Sequence, residues 1–281
     1  GGPAPTLLYS RRIGLQGGEA VPIIGGGRVT GKIGSFDVGA LSIQTGSEAS
    51  VGAESTNFAV LRMRRDVLAR SSIGVLFENR SKSAAAEGSN QTYGVDASFA
   101  FPHDVSFVAA YAKTRTKGRV GNDESYQARF NYAGDEWGAQ VSHLMVGNDF
   151  NPEIGFVRRR DFRNTSLSGR FSPRIRSIPS IRQLTLQADL AYFENARFGF
   201  LESRDRGGRF QVAFARGDNF SVDFTDSYEN LVEDTRISGA TIPTGDYSFS
   251  DVRVSYNFGS QRPVSGGLSI QWGRFYSGNV R

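Results

Sequence analysis

The densest cluster of side chains that could do chemistry is basic, and it lies near the middle of the chain. It consists of Arg158, Arg159 and Arg160. Guanidinium groups bind phosphates and carboxylates through paired hydrogen bonds, so the cluster could form an anion-selective constriction or contact lipopolysaccharide phosphates. The alternative, which we favour, is the start of a strand whose arginines pair with carboxylates inside the same protein. Candidate partners are Asp96, Asp189 and Asp223.

A second group could bind a metal through oxygen ligands. Asp149, Asn151 and Glu153 have the one-three-five spacing of some calcium loops. The rest of such a motif is missing, and Pro152 interrupts the segment. We therefore predict an ordered surface turn here and no metal site.

Nothing in the sequence predicts a catalytic centre. His103 and His143 are the two histidines, and neither has the serine and carboxylate neighbourhood of a triad. His103 is expected in a tight turn, and His143 follows the phase of Trp137, toward lipid or its interface. The glycines at 25–27 are not followed by the lysine and hydroxyl residue of a phosphate loop. We predict no catalytic residues, no metal and no cofactor.

Composition narrows the class of protein. The 281 residues include 34 glycines, 12% aromatics and no cysteine, which excludes disulfides and thiolate metal sites. The net charge of +5 is not concentrated in a basic stripe, so no nucleic-acid partner is expected. No apolar run approaches the roughly 18 residues of a membrane helix.

The elements that must position these side chains are strands, because apolar and polar residues alternate along most of the chain. One stretch places Tyr93, Val95, Ala97, Phe99 and Phe101 on one face, opposite Gly94, Asp96, Ser98 and Ala100. A soluble sandwich would bury the apolar face, whereas a membrane barrel would turn it to lipid. Strands of roughly ten residues, aromatics near their ends and mixed charges on the polar face favour the barrel.

The polar face would then line the lumen of an all-β, antiparallel transmembrane barrel of the bacterial outer membrane. Paired charges could fill such a lumen or make it selective. The predicted charged lumen residues are Arg62, Arg64, Glu78, Arg80, Asp96, Arg129, Asp189 and Asp223.

Predicted connections alternate between tight turns and long polar loops, as in barrels with periplasmic turns and extracellular loops. Tight turns are expected near 35–36, 66–69, 102–103, 134–135, 217–218 and 259–262, and a slightly longer turn is expected at 172–181. Long loops are expected at 46–56, 81–91, 115–124, 146–159, 195–208 and 227–245. An N-terminal segment with a first strand over Leu7–Leu15 occupies residues 1–27, and barrel hairpins occupy 28–281. About 15 strands result, and because bacterial barrels have an even number, we expect 16 or more in a complete barrel.

Several segments resemble a bacterial family catalogued as domain of unknown function 5916. They include LYSRRIGL, GGGRVTGKIGSFDVGALSIQTG, TNFAVLRMRRDVLARSSIGVLFENR and VGNDFNPEIGFVRRRDFR. The resemblance covers nearly the whole chain and implies an outer-membrane barrel, often preceded by a periplasmic domain similar to family-9 carbohydrate-binding modules. It implies no catalytic residues.

The expected function is that of a pore, or of an anchor for such a carbohydrate-binding domain in the same protein. The expected partners also include outer-membrane lipid and lipopolysaccharide. A structural or surface-interaction barrel without conductance is the alternative. An outer-membrane hydrolase is disfavoured, because no serine, histidine and acid set is present.

Overall fold

A computed structural model describes residues 2–237, 239–276 and 278–280. Fourteen strands of ten to fifteen residues and one of three form a single antiparallel sheet. Strands adjacent in the chain are adjacent in the sheet, except that the hairpin β15–β16 interrupts the sequence between β14 and β17. None of the helices in these ranges is long and apolar enough to cross a membrane.

The elements follow in chain order. A hairpin of two-residue strands, β1 (Leu15–Gln16) and β2 (Glu19–Ala20), precedes the sheet. The strands that follow are β3 (Ile23–Ile33), β4 (Phe36–Thr45), β5 (Thr56–Leu68), β6 (Ser71–Arg80), β7 (Asn90–Phe101), β8 (Val105–Thr116), β9 (Glu124–Ala133), β10 (Trp137–Val146), β11 (Phe162–Phe171), β12 (Ile181–Asn195), β13 (Leu201–Phe214), β14 (Asn219–Leu231), β15 (Thr235–Ile237), β16 (Ala240–Ile242), β17 (Gly245–Phe258), β18 (Gly266–Phe275) and β19 (Gly278–Val280). Two 3₁₀ turns complete the list, Ser10–Arg12 and Ala49–Val51.

The sheet has two different faces, as the alternation predicts. Residues directly opposite one another on neighbouring strands share a face. Arg64 opposes Gly74, which opposes Asp96, and these residues lie on what we call the polar face. The opposite, apolar face leaves large side chains in contact with the surroundings: Leu61 is 43% exposed and Val95 is 52% exposed.

Connections alternate between two ends of the sheet. The short-turn end holds residues 34–35, 69–70, 102–104, 134–136, 172–180, 215–218 and 259–265. The long-loop end holds 46–55, 81–89, 117–123, 147–161, 196–200 and 232–244. The tight turns predicted from the sequence are all present. His103 and Asp104 make one of them with positive φ angles of 62° and 59°.

One predicted long loop is wrong. β12 continues to Asn195 and β13 begins at Leu201, so the expected loop over residues 195–208 is confined to 196–200. Ser203, Asp205 and Arg206 instead pair with both neighbouring strands. Their polarity suggested a loop, but they lie in the first half of β13, one of the longest strands of the sheet.

The predicted first strand over Leu7–Leu15 is also wrong. This segment contains the 3₁₀ turn at residues 10–12, and Gly14 follows with a φ of +82°. Leu7 and Ile13 pack against the sheet instead of extending it. The sheet begins with β3, which runs across the expected boundary between residues 27 and 28.

The sheet is open. Its order runs from β3 to β19, and these two edge strands do not pair with each other among the residues described. An all-β antiparallel architecture is therefore present, as predicted, and the described residues form an open sheet that does not close into a barrel. Every residue of β3 is exposed, which leaves one row of its backbone groups available for pairing.

Candidate functional site

The polar face carries a ladder of charged side chains. Arg62 of β5 reaches across β6 to Asp96 of β7, with its Nη2 donating to Asp96 Oδ1 at 2.9 Å and its Nη1 donating to Oδ2. Gly74 makes this crossing possible: a Cβ at position 74 would lie 2.5 Å from Arg62 Nη2. Both charged groups are about one-third exposed, so the pair orders the face more than it stabilises the fold.

The ladder continues along the sheet. Arg209 pairs with Asp223, whose other oxygen accepts a hydrogen bond from Ser221 at 3.1 Å. Asp189 accepts from Gln187 at 3.0 Å. These contacts place Asp96, Asp189 and Asp223 on one face, as the sequence predicts.

Two further arginines of the predicted lumen set, Arg64 and Arg129, lie on the same face. Arg64 is 3.6 Å from Asp66 of its own strand. Arg129 stands opposite Val108 and Ser142.

Part of the polar face is covered by chain segments from elsewhere. Residues 6–13 and the loop 147–161, here called the cap, lie together over it at the long-loop end. Backbone hydrogen bonds join them reciprocally between Thr6 and Phe156, at 2.9 and 2.7 Å. Arg12 Nη1 also donates to the Gly155 carbonyl at 3.1 Å. A Cβ at Gly155 would lie 2.2 Å from the Leu7 carbonyl oxygen, so only glycine permits this approach.

Two apolar clusters fix the cap to the strands. Phe150 of the loop is fully buried beside Phe162 and Val146, with Leu7 packed against this cluster. Ile154 of the loop and Ile13 of the N-terminal segment form a second cluster. Their partners on β5 are Phe58 and Val60. The clusters engage strands from β5 to β11, so the cap ties together much of the sheet.

A polar network holds the same loop. Glu153 is 5% exposed, and its carboxylate accepts hydrogen bonds from Ser83 Oγ at 2.6 Å and from the Ala84 amide at 2.8 Å. Its Oε2 also lies 3.4 Å from Nη1 of Arg80, which is itself buried. Asn90 donates to the Asn151 carbonyl at 2.7 Å and accepts from the Glu153 amide at 3.2 Å.

These contacts explain the candidate metal loop and part of the basic cluster. The oxygens of Asn151 and Glu153 are engaged by protein donors, and Arg160 Nη2 donates to Asn151 Oδ1 at 2.8 Å. No cluster of metal-ligating residues exists within the described part of the chain. Arg159 pairs with Glu202 and lies over the ring of Phe162. The favoured prediction of carboxylate pairing therefore holds for Arg159, but its partner is Glu202 and not an aspartate of the ladder. Arg158 precedes it in the same loop.

Glu78 and Arg80 are the two predicted lumen residues that lie deepest. Glu78 is 1% exposed beneath the cap, between Val60 and Thr92 in the register. Within the described ranges, neither carboxylate oxygen has a hydrogen-bond donor. Burying a carboxyl group without hydrogen-bond partners costs free energy of folding, so Glu78 is a destabilising residue at this position of the sheet.

His143 lies on the apolar face, in phase with Trp137 as predicted. Its Nδ1 contacts Thr165 Oγ1 at 2.8 Å, and its ring stacks on Tyr126. Neither of these two neighbours is a carboxylate.

A clamp that the sequence analysis missed joins two connections at the short-turn end. Asp218 is 4% exposed, and its carboxylate accepts from Arg262, from the Gly259 amide and from the Tyr256 hydroxyl, the last two at 2.8 Å. The hydrogen bond from Arg262 is the main reason that the pKa of Asp218 is lowered to about 2.

We expect Asp218→Asn to remove a stabilisation that depends on pH. A lowered pKa in the folded state means that Asp218 stabilises the fold fully above its unfolded pKa of about 3.9, and that this contribution is lost as pH falls toward 2. The thermal midpoint of the wild type should exceed that of Asp218→Asn at neutral pH, and the difference should shrink through this acid range. Asp135→Asn is the control, because its ion pair with Arg174 is exposed. A constant difference across the range would contradict the assignment.

The cap network was the other feature missed. Its two segments, residues 6–13 and 147–161, are separated by more than a hundred residues in the chain, as in the hydrogen bond from Arg12 to Gly155. The available signal was Phe150, Ile154 and Phe156 within one loop, because apolar side chains in a loop indicate that it packs on something.

Comparison with protein-family models, with curated proteins and with solved structures found no match for this chain.

Proposed function

We propose that the chain forms the wall of a bacterial outer-membrane β-barrel whose interior is a path for polar solutes, occluded at the long-loop end by the cap. The carrying observation is the contrast between an exposed apolar face and a charged, hydrogen-bonded polar face across fourteen long strands. Lipid must then cover the apolar face. Closure by pairing between the β3 edge and the β18–β19 edge, directly or through further strands, is part of the proposal.

The orientation of three tyrosines on the apolar face supports a membrane–water interface near the long-loop end. Tyr93, Tyr111 and Tyr228 each direct the hydroxyl toward a polar residue nearer that end. The acceptors are Gln91, Glu124 and Asp246, each at 2.7 Å. An apolar ring with its hydroxyl pointing to the wet end is the arrangement of interfacial aromatic belts.

The two tryptophans provide the test, because both lie on the apolar face. Trp137 is 58% exposed and Trp272 is 48% exposed. The variants Trp137→Phe and Trp272→Phe each retain a single tryptophan. In vesicles with brominated acyl chains, we expect the tryptophan fluorescence of both variants to be strongly quenched, since the remaining indole faces lipid. Quenching by iodide from the aqueous phase should stay weak. Fluorescence quenched by iodide but not by brominated lipid would contradict membrane insertion.

An anchor without conductance is the second candidate, and the buried cap favours it. Single-channel currents separate the two: a pore gives currents whose ion selectivity changes when Arg129 or Arg64 is reversed in charge. An inserted barrel that stays silent with the cap intact and with the cap released is an anchor for the proposed carbohydrate-binding domain.

A further inference from the structure

The apolar face contains a groove whose floor is made of small residues. Ala97 of β7, Ala109 of β8 and Ala128 of β9 stand opposite one another in a single cross-strand row. The row on the long-loop side carries Val95, Tyr111 and Tyr126. Phe99, Phe107 and Phe130 form the row on the other side. Large side chains therefore flank a trough whose floor is formed by alanine methyl groups.

The trough opens into a cavity of about 490 Å³ at its β5 end. Phe36, Ile73 and Val75 contribute to its apolar lining. Elongated grooves with a mainly apolar lining fit a hydrocarbon chain, because they offer dispersion contacts along a line.

Arg65 lies at this end of the groove and is a charged residue among apolar neighbours. It opposes Phe36 and Ile73 in the register, and its guanidinium lies 5.2 Å from the centre of the Phe36 ring. Within the described chain, no carboxylate lies at ion-pair distance from it. An arginine among apolar residues at a membrane boundary requires an anionic partner or water, and the structure places it three positions before the end of β5 at the short-turn end.

We infer that the alanine groove and Arg65 bind one anionic phospholipid, with an acyl chain in the groove and the phosphate on the guanidinium. The inference rests on the proposed function, because it takes the apolar face to be in the membrane. It commits to a phospholipid of the leaflet at the short-turn end, since Arg65 lies there. Guanidinium binds phosphate bidentately. A headgroup with a net negative charge is preferred over a zwitterionic one, because no choline cation offsets the attraction to Arg65.

Native mass spectrometry of the detergent-solubilised full chain tests this. We expect one phosphatidylglycerol to be retained at concentrations where phosphatidylcholine with the same acyl chains is not. Arg65→Gln should weaken retention on the order of ten-fold, the loss of one charge-assisted contact. Arg65→Lys should keep part of the preference. Arg216→Gln is the matched control, because Arg216 is exposed at the same end but borders no groove.

Filling the groove with larger side chains separates the contribution of the acyl chain to binding from that of the headgroup. The double variant Ala97→Leu, Ala109→Leu should weaken retention of both phospholipids while leaving their relative order unchanged. Equal retention of the two lipids by the wild type, or a preference that survives Arg65→Gln, would overturn the inference. Retention of lipopolysaccharide in place of phosphatidylglycerol would overturn it as well. If brominated lipid quenches the tryptophans while the preference is absent, the membrane proposal stands and only the lipid site fails.

Discussion

Replacing Glu153 by alanine is expected to release the loop 147–161 from the polar face. The substitution removes the acceptor of Ser83 Oγ and of the Ala84 amide, and it leaves the Arg80 guanidinium buried without its carboxylate. Breaking a buried ion pair from one side costs about 3–5 kcal/mol, because the remaining charge loses its counter-ion. Arg80 would keep only neutral partners, the Gln16 side-chain oxygen at 3.0 Å and the Phe58 ring. Hydrogen exchange should show faster exchange at residues 147–161 and 83–84, while the amides of β7 and β8 stay protected.

The control is Glu87→Ala. Glu87 also forms an ion pair, with Lys117 at 2.9 Å, but both side chains are largely exposed. Pairs of this kind contribute about 0–1 kcal/mol, so exchange in the loop should be unchanged. Equal protection of the loop in Glu153→Ala and the wild type would show that the polar network does not hold the cap. If the interior conducts, Glu153→Ala should also open the channel more often than Glu87→Ala does.

Replacing Phe150 by alanine is expected to weaken the cap through its apolar contacts. The Phe150 side chain is fully buried with Leu144, Val146 and Phe162. Deleting such a ring costs about 3–5 kcal/mol through lost burial and the cavity left behind. Limited proteolysis should then cut within the loop under conditions where the wild type is resistant. Phe156→Ala is the control, since Phe156 is 42% exposed in the same loop.

The effects of Glu153→Ala and Phe150→Ala on the stability of the docked cap should not be additive. Each acts on the docking of one loop, and a loop already released by Glu153→Ala has little left to lose at Phe150. The double variant should therefore resemble the more severe single variant. Strict additivity would mean that the polar and apolar anchors hold separate pieces of chain.

Much of the sheet could be predicted because the physics that builds it is local. A period of two fixes which side chain goes to which face, and tight turns fix which strands pair. Asp96, Asp189 and Asp223 therefore lie on one face as expected, although they belong to three different hairpins.

The cap could not be predicted for the same reason. Leu7 and Ile13 alternate like residues of a strand, and a period of two does not reveal whether such a segment pairs at an edge or packs across a face. The hydrogen bond from Arg262 to Asp218 could not be predicted for the same reason, because the two residues are 44 positions apart and nothing near Asp218 in the chain indicates its partner. Contacts between distant segments depend on the assembled shape of the sheet, which a single sequence does not display.

The cap also sets an order of assembly. Nearly every strand of the sheet pairs with the strand next to it in the chain, so the sheet can grow hairpin by hairpin with short loops to close. Joining Arg12 to Gly155, 143 positions apart, must wait until the strands between them have come together. Folding should therefore end with a late docking event, and until then the part of the polar face beneath the cap stays exposed to water.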